Sequence, residues 1–475
     1  MGTTAAEVSA VATTGVYCRP QCSARPDPKN VAAFASPVAA EAAGYRSCLR
    51  CRPDRHLPVS PPAGVPAAVA TALALISDGF LDRFDESALA DRVGYSTRQL
   101  RRLFDEHVGA TPAFVGRSRR AHFARRLLDE TDLPMPAVAG AAGFGSVRQM
   151  NRVVESIFRF TPGALRRKRR GGDVLVADGG LRLRLPFVTP FDRRAALDHL
   201  APRVTPGVET VEGSRYRRTL EVCGNPGVVE VDLGGEGSHL ELVAHLPTFD
   251  SIIDDVARVR AMFGLDDDVI AAEAVLSADP VLAPIVDAQV GLRVIGGWDR
   301  FETAVRVIVG QQVSVAGATT ITGRIVERHG RRLPGDVLGL AALFPTPASL
   351  LDLEPDGLGM PRSRVDTIRS LAAAVVEGVV DLSAPSEVAR AQLLEVRGVG
   401  PWTADLIAMR ATRDPDVLPA DDLGIRQAVG RLLNRAEPPS ADEVASLASA
   451  WSPHRSLAAQ HLWASLRRVD AKEKS

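Results

Sequence analysis

The sequence predicts a multidomain chain in four parts: a small cysteine-bearing α/β unit, an all-α unit, an α+β unit holding a sheet, and a large all-α unit. Three observations carry this prediction. The length of 475 residues gives room for about three or four domains at roughly 100–200 residues each. Four of the five cysteines fall within the first 51 residues. The hydrophobic period also changes along the chain. It is helical from about Ala67 to Arg167, alternating from Leu181 to His245, and helical again from Ile252 to the end.

The boundaries follow from local punctuation. Pro58, Pro61, Pro62 and Pro66 make 57–66 a linker. The basic run Arg166, Arg167, Lys168, Arg169 and Arg170 ends at Gly171 and Gly172, which sets the next break. Expected domains are therefore 1–56, 67–168, 181–290 and 291–470. The hydrophobic share of 45% is enough for several cores. No apolar run approaches the roughly 18 residues of a membrane helix. Met1–Ala12 lacks the basic start and apolar centre of a signal peptide. A soluble, cytoplasmic monomer is expected, associated with the nucleoid and without a membrane partner. Net charge is zero, so any attraction to nucleic acid must be local. Arg98, Arg101, Arg102, Arg117, Arg119, Arg120, Arg125 and Arg126 form one such cluster, although a charge run by itself is usually a solvated face.

Cys18 and Cys22 are spaced C-x3-C, and Cys48 and Cys51 are spaced C-x2-C. Two such thiol pairs suit one tetrahedral zinc, the alternative being buried free cysteines. The flanking residues Thr13-Thr14-Gly15-Val16-Tyr17-Cys18-Arg19-Pro20 and Gly44-Tyr45-Arg46-Ser47-Cys48-Leu49-Arg50-Cys51 resemble the metal-binding domain of the Ada family of alkylation-response proteins. The resemblance implies that Cys18 accepts a methyl group from a methylated DNA phosphate, a methylphosphotriester. A zinc-held thiol is a thiolate, the nucleophilic form. Methylating one of four thiolates removes a negative charge and should strengthen phosphate binding, so the reaction could switch DNA affinity. Only about a dozen residues precede Thr13. The family carries more, so this domain is expected to be short of its opening helix and strand.

Leu89, Val93, Leu100 and Leu103 form an apolar helical face broken by Gly94, with Ser96 as N-cap of a second helix. Arg98, Gln99, Arg101 and Arg102 then project outward, and such side chains suit base edges and phosphates. A second unit echoes the first around Gly143 and Ser146, with Arg148 and Gln149, and closes at Phe160-Thr161-Pro162-Gly163-Ala164-Leu165. The alternative is an ordinary helical bundle with a basic face. The pair resembles the AraC-type helix-turn-helix domain. That resemblance implies promoter DNA as one partner and RNA polymerase as another.

The stretch Leu393-Leu394-Glu395-Val396-Arg397-Gly398-Val399-Gly400-Pro401-Trp402-Thr403-Ala404 reads as a helix, a glycine hairpin and a second helix. Gly398 and Gly400 let the backbone approach a phosphate, and Thr403, which opens the second helix, is expected to bind DNA with them. This resembles the helix-hairpin-helix base-excision glycosylases. The resemblance makes Asp422, in Pro419-Ala420-Asp421-Asp422-Leu423, the catalytic carboxylate, with Asp421 second. The bland alternative for Asp422 is a helix N-cap, which can coexist with catalysis. Glycosidic cleavage builds positive charge on the sugar, and a carboxylate stabilises it. The nucleotide must first leave the duplex.

Gly310-Gln311-Gln312-Val313-Ser314 narrows the resemblance to the AlkA alkylpurine glycosylases of the 3-methyladenine type. Pro186-Phe187, Val208-Glu209-Thr210-Val211 and His461-Leu462-Trp463 support it. It implies a base pocket from Gln311, Trp402, Trp463 and Leu423. Cation–π attraction there would favour a cationic base. Leu406, Leu423 and His199 fall where aromatic residues are expected. Trp402 replaces the Schiff-base lysine of strand-cleaving members, so a monofunctional enzyme is expected. No cysteine follows Cys223, so no iron–sulfur cluster is expected. The Pro-Cys-His-Arg signature of guanine-oxygen methyltransferases is absent.

The sequence thus reads as an Ada–AlkA type fusion acting on alkylated and promoter double-stranded DNA. Two alternatives stand beside it. One is a transcription regulator with an inactive glycosylase fold. The other is a working enzyme behind an inert N-terminal domain.

Overall fold

The computed structural model describes residues 8–20, 22–24, 26–53, 65–169, 175 and 180–473, and for 336, 337 and 468–473 only the backbone. Most of the expected linker, with Arg170, Gly171 and Gly172, lies outside these residues. The chain divides into two compact units, residues 1–186 with 247–259, and residues 187–246 with 260–475. Among the described residues no helix is long and apolar enough to cross a membrane.

The first unit opens with a four-stranded sheet in the order Val31–Phe34, Val8–Val11, Val16–Cys18, Arg46–Ser47. Gly15, at φ +62°, makes the tight turn between Val8–Val11 and Val16–Cys18. The strand expected to be missing is thus present, as Val8–Val11, and it sits inside the sheet. Any preceding helix would fall outside the described residues. Helix Pro37–Ala42 covers the sheet, with Ser36 accepting from the amide of Ala39. Val8, Ala10, Tyr17 and Ala40 form the core, each fully buried.

Eight helices follow, from Ala67–Ser77 to Pro162–Arg167. The long helix Pro112–Glu130 packs against Ala67–Ser77 and Val147–Phe158. Helix pairs Glu86–Arg92 with Thr97–His107, and Met135–Ala141 with Val147–Phe158, flank it in chain order. Gly94 (φ +76°) and Gly143 (φ +73°) take the left-handed turns that a side chain would strain. A buried carboxylate ties this helix to the small sheet. Glu41 accepts from Tyr17 Oη at 2.7 Å and from Ser118 Oγ at 2.5 Å, and its Oε1 lies 2.6 Å from His122 Nε2.

The second unit holds an antiparallel meander, Glu209–Glu212, Arg215–Val222, Asn225–Asp232 and His239–His245. The alternation from Leu181 onward hides one helix, Arg193–Leu200, which the strand reading missed. Asp192 caps it, and Ala195, Ala196, His199 and Leu200 are its buried residues, a spacing of one helical face. Arg218 on the meander meets helix Arg300–Val309 through a buried ion cluster. Its guanidinium donates to Glu302 at 2.9 Å and to Glu209 at 3.4 Å. Arg306 reaches Glu209 at 2.9 Å and Glu302 at 3.2 Å.

The remaining helices build two apolar cores. One gathers Phe301, Ile308, Ile321, Ile368, Leu393 and Ile407. The other gathers Leu276, Met409, Ile425, Val429, Trp451 and Leu462. Trp402 packs on the first, Trp463 on the second, and Leu406 on both. A short hairpin, Arg332–Val337 with Leu340–Ala342, interrupts this helical region.

Candidate functional site

Helices Ser386–Leu394 and Pro401–Ile407 bracket the glycine hairpin. Gly398 has φ +88°, and a Cβ there would lie 2.0 Å from Thr367 Oγ1, so only glycine fits. Gly400 is the N-cap of the second helix, and a Cβ there would meet nothing within 4 Å. Thr403 is only 3% exposed, and its Oγ1 accepts from Gln311 Nε2 at 2.8 Å. Its hydroxyl faces inward and braces the hairpin. Gln311 also points to the Gly398 carbonyl, at 3.5 Å. Its amide nitrogen thus serves the hairpin, while the neighbouring Gln312, at φ +55°, is exposed.

Asp422 sits at the seam between the two cores, at the start of helix Leu423–Leu432. Its Oδ1 accepts from the Ile425 amide at 3.0 Å and from Trp463 Nε1 at 2.9 Å. Its Oδ2 accepts from Trp402 Nε1 at 3.0 Å. Both tryptophans expected in the pocket therefore converge on the expected carboxylate, which is also the helix cap. Asp421 has its side chain largely exposed, about 4.0 Å from Arg426 Nη1. Leu423 is 60% exposed beside the site.

A cationic group that sequence reasoning missed lies behind Trp463. The Arg410 guanidinium stands 5.5 Å from the centre of the Trp463 ring and donates to the Ile295 carbonyl and to Gln460. Burial, then Arg203, Arg467 and Arg413, push Arg410 down to about 9. Burial, then Arg467 and Arg306, push Arg203 down to about 10. Local motifs give no signal for this group, because its members come from four separate segments.

In the first unit the four cysteine sulfurs all lie within 4.8 Å of one another. A tetrahedral zinc with Zn–S of about 2.3 Å needs sulfurs about 3.8 Å apart, so the set fits one ion. Cys18 is the buried member, on a strand, and the other three are half-buried. Burial and then Cys48 push the Cys18 thiol well up, and burial also raises Cys51, to about 11. A dication bound among them is what allows four thiolates to coexist.

On helix Thr97–His107, Arg98, Gln99, Arg101 and Arg102 are all exposed. Gln99 closes a capping box, its Oε1 accepting from the Ser96 amide at 3.1 Å. Arg101 makes a two-point pair with Glu86, at 2.7 and 3.1 Å. On helix Val147–Phe158, Arg148 is exposed, and Gln149 Oε1 accepts from the Gly145 amide at 2.9 Å. The two glutamines therefore do matching work at matching positions, fixing the turn that aims each helix.

Residues 4–54 match the metal binding domain of Ada. Residues 89–168 match a helix-turn-helix domain. Residues 182–299 match the AlkA N-terminal domain. Residues 305–454 match the HhH-GPD superfamily of base excision DNA repair proteins. DNA-3-methyladenine glycosylase 2 of Escherichia coli is 33% identical over 59% of this chain and 95% of its own length. A solved 3-methyladenine DNA-glycosylase from Archaeoglobus fulgidus has the same fold over 60% of this chain and 98% of that one, with a TM-score of 0.51 at 24% identity. A Mycobacterium tuberculosis protein described as "Probable bifunctional transcriptional activator/DNA repair enzyme AlkA" is 40% identical over 97% of this chain and 92% of its own length. With these four regions in one chain, and a relative matched nearly end to end, the protein belongs to the family of bifunctional transcriptional activator/DNA repair enzymes of the AlkA type, an Ada metal-binding domain and a helix-turn-helix regulator fused to a glycosylase.

Proposed function

We propose that the C-terminal half excises alkylated purines of the 3-methyladenine type from duplex DNA, with Asp422 as catalytic carboxylate. The convergence of both indole N–H groups on that carboxylate is the observation that carries the reading. The flipped nucleotide sits with its sugar near Asp422. The bond from C1′ to the base nitrogen breaks and its electron pair leaves with the base. Asp422 stabilises the positive charge left on the sugar. Water then adds at C1′ and loses a proton, leaving an abasic site. Trp402 and Trp463 hold the carboxylate in one rotamer, and the Gly398–Gly400 hairpin brings backbone close to a DNA phosphate. No lysine attacks the sugar, since tryptophan stands at 402. This half works without an iron–sulfur cluster, since no cysteine follows Cys223.

The N-terminal half reads methyl damage and promoter DNA. Cys18, Cys22, Cys48 and Cys51 hold one zinc, which supplies thiolates at neutral pH. The Cys18 sulfur attacks the methyl carbon of a phosphotriester. An S–C bond forms, the O–CH3 bond breaks, and the phosphodiester leaves as an anion. Arg98, Arg102 and Arg148 contact DNA, with Gln99 and Gln149 at the helix starts. RNA polymerase is the partner of this regulatory half.

The test is release of free bases from methylated duplex DNA by the full chain and by Asp422→Asn. Release by the wild type and none by the variant supports the enzyme. Absence of release by both, with DNA binding intact, leaves only the regulator.

A further inference from the structure

Helix Pro401–Ile407 runs on through a π-helical turn, Ala408–Thr412. Such turns are rare and concentrate at functional sites. The residue at the centre of this one is Arg410. Its Nη1 donates to the Ile295 carbonyl at 2.7 Å and its Nη2 to Gln460 Oε1 at 2.9 Å. Its own carbonyl accepts from the Gly297 amide at 3.1 Å. Gln460 is 1% exposed and precedes Trp463 by one turn on helix Arg455–Glu473, so the two share a face. Arg410 clamps that face at two points, by the hydrogen bond to Gln460 and by its guanidinium over the Trp463 ring, 5.5 Å from the centre.

Stability alone does not explain this placement. Burial disfavours the cation, and Arg203, Arg467 and Arg413 repel it. Its hydrogen bonds go to a carbonyl and an amide oxygen, not to a carboxylate that would offset the desolvation. Pushed down to about 9, it still carries its charge at pH 7. The return comes at the edge of the indole. Trp463 donates to Asp422 Oδ1, and a cation over the ring draws electron density from that N–H and strengthens it as a donor. Trp402, on the helical run that carries Arg410, donates to the other oxygen.

We infer that Arg410 is a positioning residue for base excision: it fixes and polarises Trp463, and through Trp463 it holds the rotamer of Asp422. The helical run that starts at the glycine hairpin then holds both oxygens of the carboxylate, one through Trp402 directly and one through Arg410 and Trp463. The inference rests on the glycosylase reading above and adds to it a residue that works at one remove.

The experiment is a double-mutant cycle on the full chain, Arg410→Gln against Trp463→Phe. It is read as single-turnover base release from methylated duplex DNA at saturating enzyme and, separately, as DNA affinity. Arg410→Gln should slow release roughly 3- to 10-fold with affinity unchanged, since no more than the Trp463 bond can be lost. In the Trp463→Phe background it should cost nothing further, because the donor it acts on is gone. Arg410→Lys keeps a charge beside the ring and should recover part of the rate; its smaller loss carries the cycle if Arg410→Gln fails to fold. The indole N–H resonance of Trp463, identified by its disappearance in Trp463→Phe, should move in both Arg410 variants. Additive losses, a matching fall in affinity or an unmoved resonance would overturn the inference while leaving the glycosylase standing. Release of no base by the wild type would overturn both.

Discussion

Trp463 donates its indole N–H to Asp422 Oδ1 at 2.9 Å, across 41 residues of sequence. The same oxygen accepts from the Ile425 amide, and the opposite oxygen from Trp402. A carboxylate held by three donors in one rotamer needs no reorganisation when charge develops on the sugar. Trp463→Phe keeps the ring and removes one donor. Base release should slow by roughly 10-fold, the worth of one hydrogen bond to a charged group, with little change in DNA affinity. Single-turnover kinetics against DNA titration separates the two effects. A parallel loss of affinity would show that Trp463 serves binding instead.

The cysteine cluster gives a stoichiometric expectation. The full chain should carry one zinc by elemental analysis, and Cys22→Ser should lose most of it. Labelled methyl transfer from a methylphosphotriester duplex should stop at one methyl per chain and vanish in Cys18→Ser. Because Cys18 is the buried cysteine of the four, transfer should be slow relative to a solvent-exposed thiolate. Full zinc occupancy in Cys22→Ser would exclude a four-sulfur site.

Arg218 and Glu302 are each 2% exposed and Glu209 is 4% exposed. Arg218→Met leaves two buried carboxylates to Arg306 alone, an effect of about 3–5 kcal/mol on the second unit. Burial works to raise Glu209, yet Arg306 and Arg218 hold it below the ordinary value of 4.5. Its folded pKa is depressed, so its contribution is complete above about pH 4.5 and fades as pH falls through the lower folded value. Chemical denaturation at pH 7 and at pH 3 measures both. An Arg218→Met protein as stable as the wild type would refute the account.

Asp255 behaves oppositely. Burial drives it up to about 6 from 3.8, with Arg258 opposing and Asp254 adding. The folded state then holds the proton more tightly than the unfolded chain. Stability falls as pH rises from about 4 to 6, by at most about 3 kcal/mol. Asp255→Asn removes this loss and should stabilise the first unit at pH 7 while changing little at pH 4. Thermal melts at the two values decide it, and a variant less stable at pH 7 would contradict it.

What could be read from the sequence was whatever repeats at short range. The cysteine pairs, the glycine hairpin and the Ser96 cap each fit within a dozen or so residues, whereas the carboxylate at 422 was named only through the resemblance to the helix-hairpin-helix glycosylases. The geometry of the pairs, the hairpin and the cap is local, so spacing alone constrains it. The inward turn of the Thr403 hydroxyl was not legible because a threonine in a first helical turn can face either way. Only the tertiary bond to Gln311, 92 residues away, decides it. The helix Arg193–Leu200 was lost inside a strand-rich stretch because its single turn-and-a-half of buried face is too short to outweigh the alternation around it. The arginine group behind Trp463 was illegible for a further reason. Arg203, Arg410 and Arg467 are unremarkable singly, and only the packing of three helices collects them.

The buried carboxylate at Glu41 has a further consequence. Tyr17 adjoins a proposed metal ligand, while Ser118 and His122 stand on the helix at the centre of the DNA-reading fold. One side chain thus rivets sheet to helix, and melting either leaves the other with an unsatisfied group at about 1–3 kcal/mol. The sheet and helix Pro112–Glu130 then open as one cooperative block. Amide hydrogen exchange along that helix should then report whether the cysteine cluster holds a metal.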